Sequence, residues 1–283
     1  MKRSLALLLL LAICIYGQAE TISINFKDIN GEKSSFEAVV KAPKSEGKKK
    51  ALVILHHSGG WAAGTTRLYA DFFESNGFVT LEPIMFAKRS IPYENAIPEV
   101  FASLNYLATR DDVDKNQISV MGLSYGGLLT TIVATQWVND RFNLEGSKFK
   151  KFAPLYPLCW VGERFITRDA SRKNRGLKEF FPEEFMDKWV GAPMLILSGA
   201  KDSYDDQDPK ACQQLIDLMP DDTQKSMSKN IVFENATHAW DQIYSNFYTV
   251  SGCKGRGCSN TNLPDSAVTE QGKKELLKFF TSE

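Results

Sequence analysis

Gly122-Leu123-Ser124-Tyr125-Gly126-Gly127 sets a serine between two glycines at the spacing G-x-S-x-G, directly after an apolar run and directly before a helical pattern. Glycines are needed on both sides of a sharp strand-to-helix turn, where side chains would collide with neighbouring backbone, and such a turn projects the serine Oγ above a sheet edge. Ser124 is therefore the candidate nucleophile, and the N–H of Tyr125 is placed to donate to an oxyanion. A serine hydroxyl attacks a carbonyl well only beside a base. The chain holds 3 histidines, His56, His57 and His238. The order that accompanies this motif is Ser, then acid, then His, and only His238 follows Ser124. It stands in Asn235-Ala236-Thr237-His238-Ala239-Trp240, just after a short apolar run.

The acid belongs between them, at a strand exit. Leu195-Ile196-Leu197-Ser198-Gly199-Ala200-Lys201-Asp202 supplies one. Asp202 is the leading candidate to fix the His238 tautomer, because it comes soonest after the strand and Gly199 permits a sharp exit. Asp205, Asp206 and Asp208 are rivals, otherwise explained as charge at the start of the next helix. His56-His57-Ser58-Gly59-Gly60-Trp61 closes another apolar run. The N–H of Ser58, or of His57, is a second candidate oxyanion donor, and Trp61 is a candidate substrate contact. The imidazoles of His56 and His57 read as structural. Lys88-Arg89 could hold a substrate carboxylate, although a solvated pair of loop charges explains it equally well. Nothing in these patterns calls for a metal or an organic cofactor.

The elements around these residues alternate. Strand-like runs cover Thr21–Phe26, Phe36–Ala42, Ala51–His56, Phe78–Pro83, Gln117–Met121, Phe152–Tyr156, Met194–Leu197 and Ile231–Phe233. Helical patterns cover Arg67–Asn76, Ile97–Leu107, Leu128–Val133, Asp208–Leu218 and Ala267–Phe280. Runs that are apolar throughout are buried on both faces. The expected fold class is α/β, a mostly parallel central sheet with helices on both faces. No internal repeat or flexible linker divides the chain, so one domain is expected over residues 20–283. Two stretches break the alternation, about 160–191 and 241–265, and read as insertions over one end of the sheet.

Composition bounds the function. The 283 residues carry 34 Lys plus Arg and 34 Asp plus Glu, a zero net charge that argues against a nucleic-acid partner. Met1-Lys2-Arg3, an apolar Leu5–Ile15 and Gly17-Gln18-Ala19 have the layout of a secretory signal peptide over residues 1–19. The apolar run is shorter than a membrane span requires, and no later segment is long and apolar enough to span. Export to a secreted or periplasmic location gives meaning to Cys159, Cys212, Cys253 and Cys258, which allow three disulfide pairings. Cys253-Lys-Gly-Arg-Gly-Cys258 reads as a loop closed by its own bridge, which leaves Cys159 for Cys212.

Taken together, Leu55–Gly60, Gly122–Gly127, Gly199–Asp202 and Thr237–Trp240 give the chain a resemblance to the dienelactone hydrolase family of α/β-hydrolases, over roughly Ala51 to Phe280. That resemblance implies the α/β-hydrolase fold and a triad of Ser124, Asp202 and His238. It also sets Lys88 or Arg89 near the place of the family's carboxylate-binding Arg. The chain departs from dienelactone hydrolases proper in its serine nucleophile and its leader, and it is similar to their exported, serine-bearing relatives. In that context Cys159 and Cys212 would sit at the ends of neighbouring sheet elements. The function expected is hydrolysis of a small-molecule ester or lactone through an acyl-enzyme. The alternatives are a serine peptidase on the same fold and a non-catalytic small-molecule-binding protein.

Overall fold

A computed structural model describes residues 19–86, 90–168, 180–250, 253 and 258–283. The segment through residue 18, where a signal peptide is expected, and Lys88 and Arg89 lie outside them. Eight strands form one sheet: β1 (Glu20–Lys27), β2 (Lys33–Lys41), β3 (Lys49–Leu55), β4 (Val79–Pro83), β5 (Val113–Leu123), β6 (Phe152–Leu155), β7 (Met194–Gly199) and β8 (Ser228–Phe233). Their order across the sheet is β1-β2-β4-β3-β5-β6-β7-β8. β1 and β2 pair antiparallel, as do β2 and β4. From β4 to β8 every neighbouring pair is parallel. The helices are α1 (Thr65–Ser75), α2 (Tyr93–Thr109), α3 (Tyr125–Val133), α4 (Gln136–Phe142), α5 (Cys159–Thr167), α6 (Ala211–Leu218), α7 (Asp222–Met227) and α8 (Ser266–Thr281).

The alternation along β3 shows why the sheet is covered twice. Ala51, Val53 and Leu55 join one apolar cluster with α2 residues Ile97, Val100, Phe101 and Leu104. Leu52 and Ile54 join the opposite cluster with α1 residues Tyr69 and Phe73 and α8 residues Leu276 and Phe280. A two-residue period on a strand buried on both faces requires both sets to be apolar. The chain forms a mostly parallel sheet, as expected, whose parallel strands all end on one side. Each segment with a chemical candidate leaves a strand on that side: Ser58 after β3, Ser124 after β5, Asp202 after β7 and His238 after β8.

The described parts of the two stretches that break the sequence pattern carry regular structure. In the stretch 160–191, read as a polar insertion over one end of the sheet, α5 occupies the start, and Phe181, Phe185, Met186 and Trp189 are buried in the core. Phe181 packs against Phe185 and Trp137. Residues 241–265 contain an antiparallel hairpin, β9 (Asn246–Val250) with β10 (Cys258–Asn262). Cys159 and Cys212 are joined in a disulfide. The bridge links two helices, α5 and α6, rather than strand ends. Its Cys residues are 53 apart, so closing that loop in the unfolded chain removes roughly 4 kcal/mol of its entropy. Cys253 is buried and disulfide-bonded. The expected partner, Cys258, has its side chain outside the described residues.

Candidate functional site

Ser124 joins β5 to α3 with φ of 52° and ψ of −107°. An L-residue rarely adopts that backbone, and such strain persists only where its surroundings over-determine it. Here the glycines permit it. A Cβ on Gly122 would lie 2.1 Å from the Gly126 carbonyl oxygen, and one on Gly126 would lie 2.4 Å from the Leu55 carbonyl oxygen. α3 therefore sits hard against β3 and β5, and Ser124 N–H donates to Leu155 O on the adjacent strand at 3.0 Å. Gly126→Ala must push α3 away from β3. Overpacking of this kind destabilises by about 1–3 kcal/mol, or roughly 2–10 °C in melting temperature for a chain of this size. Thermal unfolding of the variant reads that loss directly.

Ser124 is 8 % exposed, and its Oγ lies 2.8 Å from His238 Nε2. His238 Nδ1 lies 2.7 Å from Asp202 Oδ2, and both of these side chains are buried. The other Asp202 oxygen, Oδ1, accepts the Tyr204 N–H at 2.9 Å, so backbone holds the carboxylate in line with the ring. The Asp202 and His238 segments touch directly, through Lys201 N–H to Ala236 O at 2.9 Å. Gly199 makes that approach possible, since a Cβ there would lie 2.5 Å from Ala236 O. Its φ is not positive, so close approach, and not the sharp exit expected from sequence, is what the position requires.

The rival acids have other partners. Asp205 accepts the N–H groups of Cys159 at 3.3 Å and Trp160 at 3.1 Å, capping the start of α5. Burial, with the charge of Asp202 nearby, pushes its carboxyl up to about 7. Asp208 Oδ1 accepts the Lys210 N–H before α6 at 2.9 Å. Asp206 is exposed, in the left-handed region at φ of 58°.

The turn after β3 is fixed by His57. Its Nδ1 accepts the Gly59 N–H at 2.9 Å, and its carbonyl accepts the Gly60 N–H at 3.0 Å. That leaves Nε2 to donate to Thr65 Oγ1 at 3.2 Å. His56 Nε2 accepts the Met85 N–H at 3.2 Å. Burial lowers both imidazoles to about 4, helped at His57 by the nearby His238. They are neutral brackets for the turn that carries Ser58. Tyr125 opens α3, in the first turn, where N–H groups lack intrahelical acceptors. Trp61 contacts Glu82 through its indole N–H at 3.2 Å, and Arg67 lies 5.4 Å from its ring. Those contacts pin the loop to β4.

Two aromatic rings that the sequence did not single out enclose His238. Tyr204 packs against it with ring centres 4.3 Å apart, and Tyr156 meets it edge-on at 4.9 Å. The Tyr204 hydroxyl lies 3.3 Å from that of Tyr248 on β9, which brings the hairpin to the site. Tyr156 closes the strand-like run Phe152–Tyr156 and Tyr204 follows Asp202 in an irregular stretch, and nothing local marks either as a neighbour of His238.

Comparison with known proteins agrees with this architecture. A model of the prolyl oligopeptidase family matches residues 92–248, more than half of the chain. No curated protein matches. Among solved structures, a protein of Klebsiella pneumoniae subsp. pneumoniae MGH 78578 assigned to the dienelactone hydrolases is 15 % identical, with a TM-score of 0.61, covering 93 % of this chain and 100 % of its own. Est1E from Butyrivibrio proteoclasticus is 18 % identical, with a TM-score of 0.58, covering 92 % and 100 %. Thermogutta terrifontis esterase 2, solved after phosphoramylation by tabun, is 15 % identical, with a TM-score of 0.64, covering 93 % of each chain. The likeness to dienelactone hydrolases read in the sequence thus recurs at the level of fold. A mostly parallel sheet with its loops gathered at one end, a strained serine elbow between β5 and α3, and a family match that takes in the elbow and strands β5 to β8 place this α/β-hydrolase chain in the prolyl oligopeptidase family.

Proposed function

We propose that the protein is an exported serine hydrolase that cleaves a carboxylic ester or lactone. The observation that carries this reading is the unbroken line of contacts from Ser124 Oγ through His238 to Asp202, at 2.8 and 2.7 Å. Ser124 Oγ attacks the substrate carbonyl as its proton passes to His238 Nε2. Asp202 accepts the Nδ1–H, holds the tautomer and stabilises the imidazolium. The carbonyl oxygen takes the charge and receives the N–H groups of Tyr125 and Ser58, each such donor contributing about 3–4 kcal/mol. The imidazolium returns its proton to the leaving oxygen, the C–O bond breaks, and an acyl-Ser124 remains. Water repeats the sequence from the other side and frees the acid. The esterase neighbours support the reaction class. Export rests on the leader at residues 1–19 and is supported by the Cys159–Cys212 disulfide. Among the described residues no helix is long and apolar enough to cross a membrane.

Family membership favours a second reading, hydrolysis of a peptide bond by the same machinery. Steady-state rates on p-nitrophenyl esters and small lactones, set beside a proline-containing peptide amide, separate the two. On the ester reading, kcat/KM for the best ester exceeds that for the amide by far more than their difference in intrinsic reactivity. A preference for the amide overturns it.

A further inference from the structure

Asp241 is a buried acid that the triad does not use. It follows His238 by three positions, beyond Ala239, which holds a left-handed φ of 52°, and the buried Trp240. Asp241 is 5 % exposed, and both of its carboxylate oxygens are occupied. Oδ2 accepts the Tyr69 hydroxyl from α1 at 2.7 Å, and Oδ1 accepts the Tyr156 hydroxyl from the end of β6 at 2.7 Å. Tyr156 is itself held at a left-handed φ of 38°, with its ring edge-on to His238 and to Trp240. Three separate segments are therefore fastened around one carboxylate directly behind the candidate base.

The pattern of donors says which form the carboxyl takes. Two phenols donating to two different oxygens suit a carboxylate, because a protonated acid has one oxygen that must itself donate. Burial and the charge of Asp241 hold both phenols well above their ordinary range, so they remain donors. Burial works against the ionised carboxyl, while Tyr156, Tyr69 and the positive form of His238 favour it. A carboxylate so placed is a second negative charge available to an imidazolium.

We propose that Asp241 is a positioning residue of the hydrolase, one that clamps the His238 loop through Tyr69 and Tyr156 and supports the imidazolium electrostatically. The inference rests on the serine hydrolase reading. The groups that face His238 from the packed elements are Ser124 after β5, Asp202 and Tyr204 after β7, Tyr156 after β6 and His57 after β3, with Asp205 one shell further out beside Asp202. Asp202 among these, together with Asp241 itself, carries the negative charge that favours the imidazolium.

The test uses the full mature chain and a fluorophosphonate, whose rate of attachment to Ser124 needs no knowledge of the natural substrate. That rate rises with pH as His238 loses its proton, and Asp241→Asn removes a charge that favours the protonated ring. The variant is expected to reach half-maximal labelling at a pH lower by about half a unit or more, with a maximal rate reduced about tenfold. On an ester that the wild type turns over, kcat falls while KM stays within about twofold, the division expected when an interaction is made only in the transition state. A purely structural role would lower the melting temperature and leave the midpoint of the labelling profile in place, which overturns the proposal. Should the single variant not fold, Asp241→Leu with Tyr69→Phe and Tyr156→Phe exchanges the whole polar cluster for apolar groups of similar shape, a change that folding tolerates, and the same downward shift is required of it. Absence of labelling in the wild type is a different result, because it rejects the hydrolase reading itself.

Discussion

Ser124→Ala is expected to lower kcat for any ester the wild type cleaves by about 10⁴–10⁶-fold, the range seen when a triad nucleophile is removed. The residual rate comes from the oxyanion donors and from binding alone. Thermal stability should change little. Alanine keeps the Cβ that already occupies the strained φ of 52°, so backbone strain is the same in both chains. What is lost is the Oγ contact to His238 Nε2 at 2.8 Å, worth about 1 kcal/mol of net stability. Initial rates and thermal unfolding on the same preparation check both halves. Retained turnover would mean that another group is the nucleophile.

The second large effect separates Asp202 from the acid three residues later. Asp202→Asn leaves the side chain's shape but offers an amide where His238 Nδ1–H needs an acceptor, and the imidazole turns to the wrong tautomer. Such a change lowers kcat about 10⁴-fold. Asp205→Asn should behave in the opposite way. Its carboxylate caps the N–H groups of Cys159 and Trp160, while the ring nitrogens of His238 are taken by Ser124 and Asp202. Losing one acceptor oxygen of that cap destabilises by about 1 kcal/mol and leaves kcat within a few-fold. The position also carries a pH signature. The folded Asp205 carboxyl is raised to about 7 by burial, far above the ordinary unfolded value near 3.9. A raised acid favours the folded state while protonated, and that contribution is lost as pH rises toward 7. Between about pH 4 and 7 wild-type stability should therefore fall relative to that of Asp205→Asn, while the contribution of the neutral His56 and His57, common to both chains, cancels in the comparison. Parallel kcat values and melting curves from pH 4 to 8 for both variants make the comparison. A 10⁴-fold loss in Asp205→Asn with a modest one in Asp202→Asn would exchange their roles.

Much of this was legible in the sequence, because the signals involved are local. Ser124 announces itself by two glycines whose absent side chains make room for backbone. His238 was selected by chain order among three histidines, and Asp202 by its place at a strand exit. These three side chains do lie in hydrogen-bonding sequence. The Cys159–Cys212 pair followed from setting a short loop aside, although the bridge joins helices where strand ends were expected.

What escaped notice depends on tertiary context. Phe181, Phe185 and Trp189 sit among charged residues with no regular period, yet the core buries them. The β9–β10 hairpin has Asn246, Asn260 and Asn262 in its strands, residues with weak strand preference that are placed by pairing and by packing against Tyr204. Asp241 is invisible for the same reason. Its partners, Tyr69 and Tyr156, are 172 and 85 residues away in sequence. A buried carboxylate shows in a sequence only when its donors do.

The central claim, that Ser124 is an activated nucleophile, is tested most directly by exposing the mature protein to a fluorophosphonate and reading intact mass, with peptide mapping of the adduct. A single adduct on Ser124 in the wild type, none in Ser124→Ala, and much slower labelling in Asp202→Asn are the results predicted. An unmodified wild type, or an adduct that persists in Ser124→Ala, would contradict the account.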